Sequence, residues 1–211
     1  MSFHSDLKAD LVAWLGKDKV VFMKGWDSKP RGIDWQGRNR KPVALLCHHT
    51  AGAATESTDP KDPGNRKGAN DGVVRFVHKH PEFGIPAANF TLDRDGTVYV
   101  HSLYPVYHAG KGEFTGWPYK SLNIPRDRGN DFMLGVEVVD RGRKRSFTKA
   151  QKRALGELAN ACRDACGWSG FTKRLPNHRT WAPRRKPDTL YPLSWLIAWA
   201  KWAQNRGKNA T

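Results

Sequence analysis

The sequence predicts an α/β fold, a single domain in which a central mixed β-sheet is flanked by helices. Short apolar runs at 43–47 and 131–140 have the length and composition of buried strands. Longer segments with apolar residues every three or four positions alternate with these runs, as is typical of amphipathic helices. The sequence shows no internal repeat and no second full domain, so one sheet should organise the fold.

The first predicted element is an amphipathic helix. Its apolar face is formed by Leu7, Leu11, Trp14 and Leu15. Gly16 follows directly, as is typical of the residue just beyond a helix end. Residues 17–40 contain several Trp, Pro and Gly residues and are predicted to be a lead-in loop before the first strand.

The middle of the chain alternates between turn-rich and apolar segments. Residues 52–68 are rich in Thr, Asp, Pro and Gly, which predicts an irregular surface loop. Asn70 and Asp71 can cap a short helix. Residues 90–101 predict two strands joined at 94–96, because Asp-Gly is a strong hairpin signal.

The second half begins with a predicted loop at 110–128, rich in Gly, Pro and aromatic residues, which could form the wall of a groove. Thr148 and Gln151 have the spacing of a capping box, so a helix should begin there and end before Gly167. A final, tryptophan-rich helix is predicted over 192–204.

Two adjacent histidines, His48 and His49, close the first apolar run. Neighbouring side chains on a strand face opposite ways, so only one of them can point at a given site. One of these histidines, together with His178 and Asp188 from later in the chain, would make a set of three ligands. Catalytic zinc uses ligands of these kinds and keeps a fourth position for water. The alternative is that each is an ordinary buried histidine.

Lys186 and Asp188 flank Pro187, which favours an extended conformation for the residue before it. Side chains two apart in an extended chain project to the same side, so Lys186 and Asp188 should face one site together. A cation beside a metal-binding carboxylate suits a reaction that develops negative charge on oxygen. Taken alone, the segment 184–188 fits a solvated basic loop with Asp188 as its surface ion-pair partner better, and only the rest of the chain favours the metal site.

Glu137 interrupts the apolar run at 131–140. Carboxylates are rarely buried unless they are paired or coordinate a metal. Glu137 therefore lies either on a wet face at the sheet edge or in a site where it acts as a general base. A nearby metal centre would favour the second interpretation.

Five short segments follow one another in order between residues 41 and 205. They are Leu-Cys-His-His-Thr-Ala at 46–51, Ala-Asn-Phe-Thr-Leu-Asp-Arg-Asp-Gly-Thr-Val-Tyr at 88–99, Tyr-His-Ala-Gly-Lys-Gly at 107–112, Asn-Asp with Leu-Gly-Val-Glu within 130–137, and His178 with Ala-Pro, Lys186 and Asp188 within 178–188. In this order they resemble the zinc N-acetylmuramoyl-L-alanine amidases of the type-2 amidase and peptidoglycan-recognition superfamily.

The resemblance implies roles by position. His48, rather than His49, matches the family's His-any-Thr pattern, and His48, His178 and Asp188 match its zinc ligands, with Asp where many relatives have Cys. Glu137 matches the catalytic glutamate. Lys186 matches the lysine beside the scissile carbonyl.

Three further residues are assigned to substrate binding by the resemblance. His108, in the His-Ala-Gly turn, falls where relatives place residues that line the substrate groove. Asn89 and His49 are given the same role. One departure matters, because Ala88 stands where some phage lysozyme-type amidases carry a catalytic tyrosine. The sequence therefore resembles the glutamate-dependent branch.

The activity implied by the resemblance is zinc-dependent hydrolysis of the amide between N-acetylmuramic acid and L-alanine in peptidoglycan. We expect a catalytic domain at 41–205, with 1–40 as a helix and lead-in segment packed on it and 206–211 as a basic tail. Residues 1–15 lack a signal-peptide apolar region, which favours a phage endolysin made in the host cytoplasm that reaches the wall after release. The alternatives are a bacterial cytoplasmic muropeptide-recycling amidase and a non-catalytic peptidoglycan-binding module.

The formal net charge of +16 predicts attraction to polyanions. Anionic cell-wall polymers fit the implied substrate. Nucleic acid is the competing partner, but no known nucleic-acid-binding motif accompanies the charge. A third interpretation is that the charge serves solubility alone.

The remaining composition is typical of a monomeric enzyme without a membrane span. No apolar run approaches the ~20 residues that a span requires. Three cysteines make an odd count and no disulfide framework. Cys162 and Cys166 lie four apart on a predicted helix, where they are expected to pack.

Overall fold

A computed structural model describes residues 2–51 and 55–208 of the chain. The described residues form five strands and six α-helices. The strands are β1 (Val20–Phe22), β2 (Ala44–His49), β3 (Phe90–Leu92), β4 (Val98–Val100) and β5 (Met133–Val138). The α-helices are α1 (Phe3–Leu15), α2 (Asp71–His78), α3 (Gly129–Phe132), α4 (Lys149–Cys166), α5 (His178–Trp181) and α6 (Leu193–Arg206).

The five strands form one mixed sheet in the order β1-β4-β3-β5-β2. Strands β3 and β4 are antiparallel, and the other three pairs are parallel. The predicted α/β fold with a central mixed sheet is confirmed. Strand β5 lies between β2 and β3, and its register sets His48 directly beside Glu137 and Glu137 beside Thr91.

Alternation along the strands divides their side chains between two cores. Helices α1, α4 and α6 pack on one another, and they cover the sheet face that carries Leu45, Cys47, Leu134, Val136 and Val138. The other face carries Ala44, Leu46 and Met133, which pack with Trp181, Phe114 and Tyr119. His48 and Glu137 belong to this second face, so the helical layer and the candidate site lie on opposite sides of the sheet.

Several predicted element ends are confirmed. Helix α1 ends at Leu15 and is followed by Gly16 at φ 85°. Helix α4 begins with the capping box of Thr148 and Gln151 and ends at Gly167, whose φ of 70° suits a glycine. Cys162, in α4, is buried in the core, as predicted.

Three local predictions are wrong. The segment 17–40 is more than a loop, because it contributes β1, which pairs with β4 at the sheet edge. The run at 131–140 begins as the short helix α3 and becomes a strand only at Met133. Asn70 does not cap α2 through its side chain; its amide instead donates to Asp93 Oδ1 at 2.8 Å. In each case a tertiary contact outweighs the local signal.

Parts of two predicted segments lie outside the described residues: 52–54 of the loop at 52–68, and 209–211 of the basic tail. Helix α6 continues to Arg206, two residues beyond its predicted end. No described helix has the length and apolar content of a membrane span.

Candidate active site

His48 lies near the end of β2 and is almost fully buried. Burial, with a smaller contribution from nearby His178, lowers the pKa of His48 to about 4. The ring is therefore neutral at pH 7, the form in which imidazole binds a metal.

His178 is brought to His48 by a short backbone connection. Cys47 N–H donates to Pro176 O at 2.9 Å, which joins the segment before α5 to β2. The Asn177 side chain then caps α5 by accepting from Thr180 N–H at 2.9 Å. His178 is the first residue of that helix, so its position follows from the strand and the cap together.

Asp188 is held beside the same two rings. Its carbonyl accepts from Arg179 N–H at 2.6 Å, and its Oδ2 lies 3.1 Å from His178 Nδ1 and 3.7 Å from His48 Nδ1. Burial would raise the pKa of Asp188, but the two neighbouring histidines outweigh it and hold the pKa well below its usual range. The carboxyl group is thus an anion buried against two imidazoles.

The basic loop that precedes Asp188 does not use it as an ion-pair partner. Arg185 donates instead to Lys111 O at 2.9 Å and to Ala109 O at 3.3 Å. This contact fastens the His-Ala-Gly turn to the loop at 184–188. The alternative of a surface ion pair is therefore wrong for Asp188, which is 7% exposed.

The hydrogen bonds of the two histidine rings determine which nitrogens carry protons. His178 Nε2 lies 3.0 Å from Ala109 O, a carbonyl that can only accept, so the proton of the neutral ring is on Nε2. His108 Nε2 is fixed in the same way by Met133 O at 2.7 Å, which leaves His108 Nδ1 to accept from His48 Nε2–H at 3.2 Å. Both His48 and His178 therefore present an unprotonated Nδ1.

These two Nδ1 atoms lie only 2.8 Å apart, and Asp188 Oδ2 lies beside them. The three ligand atoms are all within 4.8 Å of one another. In the neutral tautomers described above, two imidazole nitrogens and a carboxylate oxygen face one position, which suits a bound cation. Two imidazoles and a carboxylate are ligands that zinc accepts, so these residues fit a zinc ion.

The His108 ring lies between β5 and His48. The ring is 9% exposed and is sandwiched between Met133 O and His48. The His108 backbone N–H donates to Asn130 Oδ1 at 2.8 Å, and the backbone N–H of Ala109 donates to the same oxygen at 2.7 Å. Both ring nitrogens are therefore engaged within the protein, and the role of His108 in lining the groove stays a prediction.

The predicted role of Asn89 in substrate binding stays a prediction, and the structure shows what its side chain contacts. Asn89 is fully buried, and its side-chain amide donates to Ser102 O and Tyr104 O at 2.9 Å each. Its Oδ1 accepts from Gly135 N–H at 2.9 Å. With its polar atoms engaged by backbone groups, Asn89 positions β5.

His49 faces away from the three ligand atoms, as the alternation of β2 requires. Its ring packs on Gly142, where a Cβ would meet Nε2 at 2.0 Å. Its role in substrate binding stays a prediction.

Glu137 lies on the same sheet face as His48. Its Oε2 is buried and has no hydrogen-bond partner among the described residues. Burial and the nearby Asp188 raise the pKa of Glu137 to about 8, and the Lys186 ammonium opposes them. A carboxyl group with an unused oxygen and a pKa near neutrality can exchange protons with a reacting group.

Lys186 is half-buried and lies close enough to act electrostatically on Glu137 and His48. This placement agrees with the prediction that Lys186 and Asp188 face one site. The sequence interpretation missed the backbone carbonyls of Ala109 and Met133 and the support given by Asn130. Backbone carbonyls leave no sequence signal, since every residue has one.

The sequence and the fold both match known amidases. A family described as N-acetylmuramoyl-L-alanine amidase matches residues 38–189, most of the chain. The chain therefore belongs to this family of peptidoglycan amidases. No curated protein sequence matches it.

Among solved structures, AmpD has a TM-score of 0.54 at 18% identity, over 86% of this chain and 94% of that one. Drosophila PGRP-LB, as a variant in complex with tracheal cytotoxin, has a TM-score of 0.55 at 17% identity, over 89% and 96%. An endolysin of a Thermus scotoductus bacteriophage has a TM-score of 0.51 at 17% identity, over 86% and 98%. At these identities the similarity shows a shared fold.

Proposed function

We propose that the chain is a zinc-dependent amidase that cleaves the amide between N-acetylmuramic acid and L-alanine in peptidoglycan. One observation carries the zinc assignment: His48 Nδ1, His178 Nδ1 and Asp188 Oδ2 all lie within 4.8 Å of one another, while the Nε2 of each ring contacts a partner outside the cluster. In the neutral rings those outside contacts use the Nε2 protons, so both Nδ1 lone pairs and the carboxylate are left to bind a divalent cation.

Each residue of the proposed site has its own role in the reaction: three bind the metal, Glu137 transfers a proton, and Lys186 stabilises developing charge. When bound, zinc polarises the substrate carbonyl and lowers the pKa of a water molecule toward ~7. Glu137 takes the proton of the attacking water and later gives it to the leaving amine, so the carboxyl group ends the cycle as it began. A cation held by His48, His178 and Asp188 favours the ionised form of Glu137.

Lys186 is proposed to stabilise the negative charge that develops on the carbonyl oxygen. Lys186→Ala is expected to lower turnover by about a hundredfold and to change KM little, because that charge exists mainly in the transition state. The measurement is steady-state kinetics on a small soluble muropeptide. Arg184→Ala, which removes an exposed cation from the same loop, is the control and should keep its turnover. An unchanged rate for Lys186→Ala would show that Lys186 is a solvated residue of the basic loop without a catalytic role.

His108 is proposed to hold His48 in the tautomer that binds metal. His108→Ala should weaken zinc affinity by roughly ten- to a hundredfold, the usual cost of losing such a supporting bond. The measurement is zinc competition against a chromogenic chelator. His80→Ala, which removes a histidine outside the cluster, should leave the affinity unchanged.

A second variant displaces the His108 imidazole without removing it. Gly135→Ala keeps the imidazole but adds a Cβ that would meet His108 Nδ1 at 2.5 Å. The Gly135→Ala variant should also bind zinc more weakly than the wild-type protein. Zinc affinities equal to wild type in both variants would remove His108 from the site.

We also propose that the enzyme acts on intact wall as a phage-type endolysin, with the muropeptide-recycling amidase as the alternative. The net charge of +16 supports the first, because an anionic wall attracts a basic enzyme while a small muropeptide gains little from it. Turnover of whole sacculi compared with soluble muropeptides distinguishes the two. A preference for free muropeptides at low salt would favour recycling.

The activity itself is tested by the ends it creates. Purified protein is incubated with peptidoglycan, with and without a chelator, and the products are identified by mass spectrometry. Free L-alanine amino ends that disappear with the chelator and return with added zinc are expected. New reducing sugar ends, or cleavage insensitive to the chelator, would contradict the proposal. Binding of fragments without any cleavage would favour a recognition module.

A further inference from the structure

Helix α6 carries three tryptophans on one face. Trp195, Trp199 and Trp202 are spaced four and three residues apart, which places them in a row along the helix. Trp195 is 44% exposed and Trp202 is 45% exposed, so neither ring is buried in the core. Exposed tryptophans in a row are costly in water and indicate a surface that receives a ligand.

Each of these rings has a cation near its face. Arg145 lies 5.4 Å from the Trp195 ring, Lys152 lies 6.0 Å from Trp199, and Arg206 lies 5.0 Å from Trp202. We call the three rings and these three cations the α6 strip. It alternates flat apolar surface with positive charge, within the range of cation–π contacts.

A groove of about 950 Å³ adjoins the α6 strip. It is lined by Trp199, Trp202 and the start of α4, together with residues at 15–19 and 95–96. Two cations on its wall, Lys149 and Lys152, form no ion pair with any described carboxylate. Of the three acids that line the groove, Asp95 and Glu157 pair with Lys19 and Arg153, and Asp18 is outnumbered by the remaining lining cations, Lys149, Lys152 and Arg206. The groove therefore offers uncompensated positive charge beside aromatic rings.

The α6 strip is not an extension of the catalytic groove. Helix α6 packs on α4, and α4 covers the sheet face that carries Cys47. His48 and Glu137 belong to the opposite face. A ligand on the strip would leave the zinc ligands and Lys186 untouched.

We propose that the α6 strip and its groove bind a phosphate-bearing wall polymer, a chain of sugar or polyol units joined by phosphodiesters. The C–H faces of such units pack on tryptophan rings, and the phosphates bond to Lys and Arg. A lipid bilayer fits less well, because it is flat and cannot fill a concave groove. The choice of a wall polymer over nucleic acid rests on the proposed function, which places the enzyme's substrate in the wall.

The test measures retention on sacculi that keep their phosphate polymers and on the same sacculi stripped of them by hydrofluoric acid. Short incubations in the cold are followed by sedimentation. Lys149→Glu/Lys152→Glu and, separately, Trp202→Leu are compared with the wild-type enzyme. Arg38→Glu/Lys61→Glu is the matched control, because it makes the same charge change at two exposed positions away from the strip. Thermal melts check that each variant folds, and leucine keeps an apolar side chain at 202 for that reason.

Both strip variants should lose about tenfold in affinity for the phosphate-bearing sacculi, and the control should not. None should differ on stripped sacculi, and turnover of a soluble muropeptide should stay within about twofold of wild type in all of them. That turnover reports on the catalytic site alone, so failure of the amidase assignment and failure of the strip are distinguishable.

Three results would overturn the proposal. Equal losses in the control would show diffuse attraction of charge in place of a site. Undiminished retention of both strip variants would show that neither cations nor rings matter there. Wild-type protein that preferred phosphatidylglycerol vesicles or duplex DNA to the sacculi, with the preference lost in the strip variants, would assign the strip to a membrane or to nucleic acid.

Discussion

His178→Ala and Asp188→Ala are each expected to abolish zinc binding and amidase activity together. Each change leaves two of three ligands, and the Asp188 variant also loses the carboxylate charge beside the two Nδ1 atoms. Two neutral imidazoles alone do not make the three-ligand set that catalytic zinc uses. The measurement is zinc content by mass spectrometry of the purified protein, with turnover of a muropeptide on the same samples.

The matched control is His49→Ala, which removes the histidine adjacent to His48 on the strand but facing the other way. It should keep one zinc per chain. Asp188→Asn preserves the shape of the side chain and removes its charge, so it separates coordination from packing. Full zinc occupancy in both His178→Ala and Asp188→Ala would refute the ligand assignment.

Glu137→Gln is expected to keep the fold and the zinc but to lose roughly a hundred- to ten-thousandfold in turnover. The amide has nearly the shape of the carboxyl group but cannot accept the proton of the attacking water. Kinetics on a soluble muropeptide, together with zinc content, measure the two effects separately. A rate within a few-fold of wild type would require another base.

The same variant has a pH signature in the metal-free protein. Folding raises the pKa of Glu137 from 4.5 to about 8, because burial and then Asp188 disfavour its charged form. The stability contributed by the neutral carboxyl is therefore present below pH 4.5 and is lost as the pH rises through 8. Glutamine does not ionise, so chelated Glu137→Gln should melt higher than chelated wild type at pH 8, and the gap should shrink at pH 5. Equal gaps at both values would mean that Glu137 is not buried as described.

The candidate site residues could be proposed from the sequence because that information lies in residue types and order. A histidine at the end of an apolar run, a carboxylate within a strand pattern and a Lys-Pro-Asp segment are all visible without coordinates. The capping box at Thr148 and the hairpin at 94–96 are local signals too, and the structure keeps both. These features depend on neighbours close in the chain.

Other details depend on partners far away in the chain. Asn89 and His108 have the residue types of a substrate groove, yet Gly135, Met133 and His48 occupy their polar atoms. Strand β1 is three residues long and forms because β4 offers an open edge.

The fold class, the family and the candidate metal-ligand and base residues could be predicted from residue types and their order. Which nitrogen of each histidine faces the ligand cluster is a property of the folded chain, because the carbonyls of Ala109 and Met133 contact the rings from distant segments. The tertiary structure also decided that the tryptophans of α6 lie on the far side of the sheet from His48. Both features depend on contacts between segments that are distant in the sequence. Such contacts set the direction of a hydrogen bond and the sheet face against which a helix packs, and neither can be predicted from the pattern of one segment.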